Sequence, residues 1–338
     1  MRNLRFAVFG TGFWANYQIA AWQELEGVEL VALYNRTRSK AEAMGQKFGI
    51  ERVYDNADDL LANEELDFID IITDVDTHAV LVEKAAAKGI HVICQKPMAA
   101  DFPTAQRMVA ACQRAGVKFF IHENFRWQAP IRRLKEVLDS GVIGEAFKAR
   151  LTFCTAFPVF DNQPFLAELD QLILTDLGSH LLDIGRFLFG EAQSLYCQTA
   201  RINPAIKGED VASVFLKMRN GVQCYVEISF ASILEKEAFP QTLILVEGSE
   251  GSLHLTTDFI LNITTRSGTR PVECKPKMYD WLNPDYAVVH SSIVDCNRDL
   301  LNGLRGGKSE TTGEDNFETV RLVHACYESA GRNAVITL

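Results

Sequence analysis

The residue in this sequence most suited to chemistry is a lysine that follows a short apolar segment. Lys96 stands between Gln95 and Pro97, directly after the run His91–Cys94, which we predict to be a β-strand. Ligands of open α/β sheets bind beyond the carboxyl ends of the strands, so this position faces a ligand. A lysine with a lowered pKa can take a hydroxyl proton while hydride leaves the same carbon. The alternative is an ordinary surface charge.

A second candidate pair lies on one predicted helix, Leu172–Phe189, which is otherwise apolar. Asp176 and His180 are four residues apart, so a helix places both on one face. We expect His180 to share in proton transfer at the reacting hydroxyl and Asp176 to bind a neighbouring hydroxyl. The alternatives are Asp176 as a helix cap, a satisfied polar cluster that includes Asp183, and a metal site from the same three residues. No Cys/His cluster supports a metal, so none is predicted.

The segment 10–15, GTGFWA, carries a glycine fingerprint between a predicted strand and a predicted helix. This context favours a dinucleotide-binding loop over a chance match. Gly10 permits the tight turn, and Gly12 lets the backbone approach a pyrophosphate at the helix N-terminus. Phe13 and Trp14 are further candidates for contact with the dinucleotide. The alternative is a tight strand-to-helix turn without a ligand.

The end of the second predicted strand bears on the choice between NAD and NADP. An acidic residue that holds the adenosine ribose is expected ~20 residues after the loop, and the chain has Asn35 there. Asn35 can hydrogen-bond a free 2'-hydroxyl, whereas Arg36 and Arg38 offer guanidinium groups to a 2'-phosphate. Arg36 can equally stack on adenine. Both cofactors therefore stay open.

The whole-chain properties exclude several classes of protein. The 338 residues favour two domains, and the net charge of −10 without a long basic run argues against nucleic acid or an anionic membrane as a partner. No apolar stretch approaches the ~20 residues of a membrane span. The eight cysteines form no C-x-x-C pair, a pattern typical of reduced thiols in a cytoplasmic protein.

The order of predicted elements indicates an α/β Rossmann domain followed by an α+β domain. Apolar strand-like runs alternate with helical runs over residues 1–123, which predicts a doubly wound parallel sheet that binds the dinucleotide. Residues 124–338 carry long strand-like segments without intervening helices, which predicts a mostly antiparallel open sheet. We expect a last helix, about 315–332, to pack back on the first domain.

Three separated motifs give the chain a family resemblance. With the glycine loop, Cys94-Gln95-Lys96-Pro97 and Asp176-Leu177-Gly178-Ser179-His180 in this order, it resembles the Gfo/Idh/MocA oxidoreductase family, whose motifs are E-K-P and D-x-G-x-H. The resemblance implies that Lys96 is the catalytic lysine, His180 a proton donor or acceptor, and Asp176 a substrate-binding residue. Other matching positions implied near cofactor or substrate are Thr73, His78, Gln95, Asn124 and Arg126.

The resemblance also implies an activity. Family members are NAD(P)-dependent dehydrogenases of sugars and polyols, which oxidise a ring-form aldose to a lactone or a ring hydroxyl to a ketone. Pentoses, including a branched aldose of the D-apiose type, are candidate substrates, and a homodimer or homotetramer through the open sheet face is expected. Two alternatives are an NAD-dependent glycosidase and a dinucleotide-binding sensor without catalysis.

Two departures from the family pattern stand close to the predicted site. Gln95 replaces the usual glutamate, which removes a negative neighbour that would help to keep Lys96 protonated. Asp74 stands where proline is frequent. Specificity is expected from Phe157 and Asp161, through stacking and hydroxyl contacts, with Trp281 and His290 as further candidates.

Overall fold

The structure, a computed structural model, describes residues 2–338, which divide into two compact units. The first unit holds the residues up to Asn124 together with 279–283 and 290–320. The second unit holds residues 125–278, 284–289 and 321–338. Each unit contains one β-sheet.

The first unit is built on a parallel sheet of six strands in the order β3-β2-β1-β4-β5-β6. The strands are β1 (Leu4–Phe9), β2 (Val28–Tyr34), β3 (Val53–Tyr54), β4 (Phe68–Ile71), β5 (His91–Gln95) and β6 (Phe119–His122). The connecting helices are α1 (Phe13–Gln23), α2 (Arg38–Phe48), α3 (Ala57–Asn63), α4 (Val75–Ala87) and α5 (Phe102–Ala115). This is the predicted Rossmann domain.

The sequence of this sheet explains both its burial and its ligand edge. The strands are near-continuous apolar runs because helices cover both faces of a parallel sheet, and all four residues of β4 are buried. The strand order reverses between β1 and β4, which lie side by side. Their carboxyl ends therefore border the crevice where a doubly wound sheet binds its ligand.

The second unit is built on a mixed sheet of nine strands in the order β14-β13-β12-β11-β7-β10-β9-β8-β15. Its only parallel pair among the described strands is β7 with β10, so the prediction of a mostly antiparallel sheet is confirmed. The strands are β7 (Ala146–Cys154), β8 (Ala192–Ala200), β9 (Val211–Met218), β10 (Gln223–Ser229), β11 (Leu243–Gly248), β12 (Gly251–Thr256), β13 (Ile260–Thr265), β14 (Gly268–Glu273) and β15 (Ile336–Thr337).

The remaining helices are α6 (Ala129–Asp139), α7 (Val159–Asn162), α8 (Ser179–Phe189), α9 (Ala287–Leu304) and α10 (Gly313–Arg332). In the second unit, α8 packs on the sheet, where a Cβ at Gly185 would lie 3.9 Å from both Cys224 and Leu216. In the first unit, the ring of Phe317 on α10 lies 4.7 Å from that of Phe102. Burial of these apolar faces holds the helices on their sheets.

Two whole-chain expectations concern membranes and disulfides. Across residues 2–338, no helix combines the length and the apolar character that crossing a bilayer requires. All eight cysteines are free, and all except Cys154 are buried.

Candidate functional site

The loop between β1 and α1 has the shape that its glycines predict. Gly10 has a φ of +106°, and a Cβ there would lie 2.5 Å from the carbonyl oxygen of Ile72, so only glycine fits. Gly12 is the N-cap of α1, has no side-chain cap, and would place a Cβ more than 4 Å from any neighbouring atom. The helix N-terminus is therefore open to an anion whose atoms approach the backbone closely.

A cavity of about 450 Å³ opens in front of this loop. It lies at the carboxyl ends of β1, β2 and β4, where a doubly wound sheet binds a dinucleotide. Five predicted cofactor residues share its lining, which they form with Thr11, Tyr34, Lys40 and others: Gly10, Gly12, Asn35, Arg36 and Thr73. The open glycine backbone and the uncapped helix fit the pyrophosphate of NAD or NADP. Phe13, Trp14, His78, Gln95, Lys96 and Asn124 lie outside this lining.

The side chain of Asn35 connects two parts of the cavity wall through hydrogen bonds. Its Nδ2 donates to Thr11 Oγ1 at 2.6 Å, and its Oδ1 accepts from Thr37 N at 2.9 Å. Arg36 pairs with Asp74 at 3.1 Å, and both side chains are exposed at the rim. This pair gives Asp74 a partner that its sequence position did not suggest.

His78 links the two loops that follow β4 and β5. It is 1 % exposed, its Nε2 lies 3.1 Å from Thr73 O, and its Nδ1 lies 3.1 Å from Pro97 O and 3.3 Å from Met98 O. Burial lowers the pKa of His78 against the raising effect of these carbonyls, which favours the neutral ring. His78 therefore fixes the spacing between the cavity wall and the segment that follows Lys96.

Lys96 is half-buried directly after β5, beside β4 in the parallel sheet. Its backbone N–H donates to Gln95 Oε1 at 2.8 Å. Parallel neighbours end at the same sheet edge, so Lys96 emerges at the edge that carries Thr73 and the dinucleotide cavity. The structure thus brings Gln95 and Lys96 to the predicted edge of the first unit.

A polar network that the sequence did not predict extends from Gln95 into the interior of the first unit. Gln95 Nε2 donates to Gln18 Oε1 at 2.9 Å, and Gln18 Nε2 donates to both carboxylate oxygens of Asp70 at 2.9 Å. Trp22 Nε1 donates to Asp70 Oδ2 at 2.8 Å. The available signal was a single carboxylate inside the apolar strand Phe68-Ile69-Asp70-Ile71, because buried charges require partners.

In the second unit, the predicted helix over residues 172–189 is not uniform. Leu174–Gly178 form a π-helical turn, and α8 begins only at Ser179. Asp176 lies inside this turn, half-buried, so the alternative of an N-terminal cap is wrong. Turns of this type are frequent at functional sites because they redirect side chains.

Residues distant in sequence hold the π-helical turn. Glu209 accepts the N–H of Leu174 at 3.4 Å and the hydroxyl of Tyr327 at 2.7 Å. The hydroxyl of Thr175 lies 3.2 Å from that of Tyr327. Burial, followed by the charge of Glu209, raises the pKa of Tyr327, so the phenol keeps the proton that it donates.

His180 and Arg126 occupy a buried layer of the second unit. The His180 ring is 3 % exposed and stacks on Phe125, with centroids 3.7 Å apart and planes at 8°. Arg126 Nε donates to Asp183 Oδ2 at 2.7 Å, and its Nη2 donates to Oδ1 at 2.5 Å. Asp183 is fully buried, so Arg126 neutralises it. This ion pair gives Asp183 a charged partner within the second unit.

The predicted specificity residues lie in different surroundings. In the second unit, Phe157 stacks on Phe239 at 3.9 Å, and Asp161 is exposed on α7. In the first unit, Trp281 Nε1 donates to Glu24 at 3.0 Å, and the ring of His290 stacks on Tyr17 at 3.7 Å. Burial lowers the pKa of His290 to about 3, so its ring is neutral.

A metal site requires several His, Cys, Asp or Glu side chains that converge on one point. Within residues 2–338, no group of three or more of them is placed to hold an ion.

Comparison with known proteins decides the family. Residues 4–123 match the model of an oxidoreductase family with an NAD-binding Rossmann fold, and residues 131–254 match the GFO/IDH/MocA C-terminal domain. The chain belongs to the GFO/IDH/MocA oxidoreductase family. The predictions of this family, of its fold and of an oxidoreductase with a nicotinamide cofactor are confirmed.

Individual relatives match over nearly the full length of the chain. A D-apiose dehydrogenase from Paraburkholderia graminis is 43% identical, with 100% of this chain and 90% of the relative covered. A D-apiose dehydrogenase from Rhizobium rhizogenes is 40% identical, with 100% and 98% covered. An oxidoreductase from Agrobacterium radiobacter, solved with NAD+, L-tartaric acid and magnesium, is 40% identical, with a TM-score of 0.97 and 99% and 98% covered.

A substitution at Gly12, which has open space around it, tests whether the cavity binds the dinucleotide. Gly12→Ala should lower the free energy of unfolding by no more than about 1 kcal/mol, because alanine is a poorer N-cap than glycine, whereas the extended backbone angles suit alanine and its Cβ would meet no neighbouring atom. The Kd of NAD should rise at least about tenfold, because the methyl group occupies the space of the pyrophosphate. Calorimetric titration and denaturant unfolding measure the two quantities.

Gly49→Ala is the matched control. Gly49 also has open space but a φ of +73°, so alanine should cost about 1 kcal/mol of stability and leave the Kd unchanged. An unchanged Kd in Gly12→Ala would place the dinucleotide elsewhere.

Proposed function

We propose that this chain is an NAD-dependent dehydrogenase that oxidises the ring form of a branched pentose of the D-apiose type to its lactone. The observation that carries the proposal is that two relatives named D-apiose dehydrogenase match the whole chain at 43% and 40% identity. The position of Lys96 supports it, because this lysine emerges at the sheet edge that carries the dinucleotide cavity.

The proposed reaction removes a hydride and a proton from the anomeric carbon and its hydroxyl. Bound NAD+ supplies the hydride acceptor. Lys96 Nζ takes the hydroxyl proton as the carbon–hydrogen bond breaks, so the carbon–oxygen bond becomes the lactone carbonyl. Gln95 holds the backbone of Lys96 through its N–H, and His78 holds the chain that follows it. Both contacts hold the backbone from which the lysine side chain projects.

The second unit contributes three further proposed roles. His180 is held in one plane by its stack on Phe125, so its nitrogens point along fixed directions and can exchange a proton with a sugar hydroxyl. Asp176 presents a half-buried carboxylate on the π-helical turn, and this carboxylate accepts a hydrogen bond from a neighbouring hydroxyl. Phe157 and Asp161 are the proposed contacts that distinguish one sugar from another.

We also infer a homo-oligomer and a reducing compartment. The outer face of the nine-stranded sheet carries the paired rings of Phe215 and Tyr225, 4.9 Å apart, among charged side chains. An open sheet face of this composition suits a second copy of the chain. Eight free cysteines favour the cytoplasm, where thiols stay reduced.

NAD rather than NADP is the proposed cofactor. Asn35 uses both ends of its amide within the cavity wall, Arg36 is held by Asp74 and Arg38 by Glu42, so both guanidinium groups after the second strand are already paired. Asp74 and Asp76 line the cavity together with Arg36, Lys40 and Lys84, so they offset part of its positive charge. These carboxylates repel a phosphate dianion.

Asp74→Ala tests this preference. Removal of the carboxylate releases Arg36 and reduces repulsion, so kcat/KM for NADP relative to NAD should rise about two- to fivefold, as expected for an exposed charge pair. Glu136→Ala is the matched control, because Glu136 pairs with Arg133 at 2.8 Å in an exposed position of the second unit, outside the cavity lining. An unchanged ratio in Asp74→Ala would remove Arg36 and Asp74 from cofactor selection.

The function itself is tested by NADH formation with D-apiose among a panel of aldoses, polyols and inositols. D-apiose should give the highest kcat/KM, and Lys96→Met should lower kcat at least about 100-fold while the Kd of NAD stays within about twofold. Lys88→Met, an exposed lysine of the same unit, should change neither quantity.

Three outcomes of this panel contradict the proposal. Rapid turnover by Lys96→Met would refute the role of the lysine. Glycoside hydrolysis without net NADH would favour the glycosidase. Tight NAD binding without turnover of any sugar would favour the sensor.

A further inference from the structure

Asp70, Gln18 and Gln95 form an unbroken hydrogen-bonded chain from the middle of β4 to the backbone of Lys96. Asp70 and Gln18 are 0 % exposed. The donors run in one direction, from Lys96 N to Gln95 Oε1, from Gln95 Nε2 to Gln18 Oε1, and from Gln18 Nε2 to the Asp70 carboxylate. All the members belong to the first unit.

The direction of this chain follows from the chemistry of its terminal group. A carboxylate only accepts hydrogen bonds, so Gln18 must turn its NH2 group toward Asp70 and its carbonyl oxygen toward Gln95. Gln95 must then turn its own NH2 group toward Gln18, which leaves its oxygen to accept the N–H of Lys96. Each amide orientation depends on the one before it, and an amide that is buried, as that of Gln18 is, cannot leave a mismatch unpaired cheaply.

We propose that Asp70 is a positioning residue, whose carboxylate sets the orientation of the Gln18 and Gln95 amides and thereby holds the backbone of Lys96 at the end of β5. The proposal rests on the proposed function of Lys96. It assigns a purpose to the departure at residue 95, because a glutamate there could not donate to Gln18. Gln95 and the buried Asp70 therefore act together in this protein.

His122 supports the same orientation from the other side. Its Nε2 lies 3.0 Å from Asn297 Oδ1 and its Nδ1 lies 3.4 Å from Gln95 Nε2. The first contact places the proton on Nε2, so Nδ1 accepts from Gln95. Asn297 Nδ2 has no hydrogen-bond partner among the described residues. The Asn297 amide can therefore turn over, and the ring can take its other tautomer, if residue 95 becomes an acceptor.

The charge on Asp70 changes within the neutral range of pH. Burial raises the pKa of Asp70 to about 7, against the lowering effect of hydrogen bonds from Trp22 and Gln18. Cys94 lies on the neighbouring strand, one residue beyond Ile93, which pairs with Asp70, and burial raises its thiol pKa well above the usual value, so it stays neutral. His122 is the titratable group at the other end of the chain. Below pH 7 the protonated Asp70 no longer imposes the amide direction, so kcat should fall there.

The test uses two substitutions that are each disruptive alone. Together they reverse the direction of the hydrogen bonds between residues 70, 18 and 95. Asp70→Asn places an NH2 group where Gln18 donates, and Gln95→Glu removes the donor to Gln18 and places two acceptors together. In the double variant, the new amide at position 70 donates to Gln18 Oε1, and Gln18 Nε2 donates to one oxygen of the new carboxylate at position 95. The other oxygen of that carboxylate accepts the N–H of Lys96. Every hydrogen bond between the three side chains is restored in the opposite direction.

Each single variant should lower kcat at least about tenfold with the Kd of NAD unchanged, because small displacements of a catalytic group have effects of this size. The double variant should recover kcat to within about threefold of the parent when both are measured at the pH at which kcat no longer rises, because the carboxylate at position 95 helps to keep Lys96 protonated at lower pH. Ile69→Val, a buried apolar change on the same strand, is the control, with lower stability and unchanged kcat.

Hydrogen exchange at the Lys96 amide, measured by NMR, gives a readout without turnover. The amide should exchange at least about tenfold faster in each single variant and regain its protection in the double variant. If exchange follows this pattern while the parent oxidises no sugar, the positioning role stands and the proposed function fails. If the parent oxidises D-apiose but the double variant is as impaired as the singles, or if exchange is equal in all variants, the positioning role is wrong.

Discussion

The hydrogen bonds that a buried carboxylate requires connect the interior of the first sheet with the residue at its edge. Asp70 lies in the middle of β4, where apolar neighbours on both faces of the sheet exclude water. Its two oxygens are met by Trp22 and Gln18 on α1, the helix that begins at the glycine loop. The same helix therefore begins at the cavity in front of the glycine loop and, one and a half turns later, carries the Gln18 amide that faces Gln95.

The topology of the sheet makes this connection useful. The carboxyl ends of β1 and β4 border the cavity, and β5 lies next to β4 in parallel register. His78 spans the loops after β4 and β5, so a lysine after β5 cannot move independently of the cavity wall. The second unit contains a buried ion pair between Arg126 and Asp183. In the same unit, the ring of Phe125 stacks on His180 and fixes its plane.

Local sequence patterns predicted the parts of the molecule that depend on neighbours in the chain. The sequence was sufficient to predict the glycine loop, the two sheets, the position of Lys96 after β5 and the four-residue spacing of Asp176 and His180. Each of these features is set by backbone sterics or by strand and helix periodicity. The family was equally accessible from its three motifs, and the two family models confirm it.

Contacts between distant residues were not accessible in this way. Gln18 and Asp70 are 52 residues apart, and Gln95 and Gln18 are 77 apart. Their pairing depends on which helix covers β4 and on the direction of each amide. The spacing of apolar residues along the sequence predicts neither. The π-helical turn was missed for the same reason, because the Tyr327 hydroxyl that supports it lies 152 residues from Thr175. Arg36 and Asp74, 38 residues apart, illustrate the same limit at the surface.

The central claim is that the sugar passes a hydride directly to the nicotinamide ring, and the most direct measurement follows that hydrogen. D-apiose deuterated at its anomeric carbon is incubated with the purified chain and NAD+, and the products are examined by NMR. The proposed mechanism predicts one deuterium at C4 of the nicotinamide in NADH, together with an equal amount of the lactone. Deuterium that remains in the sugar, or that appears in water, would contradict direct hydride transfer.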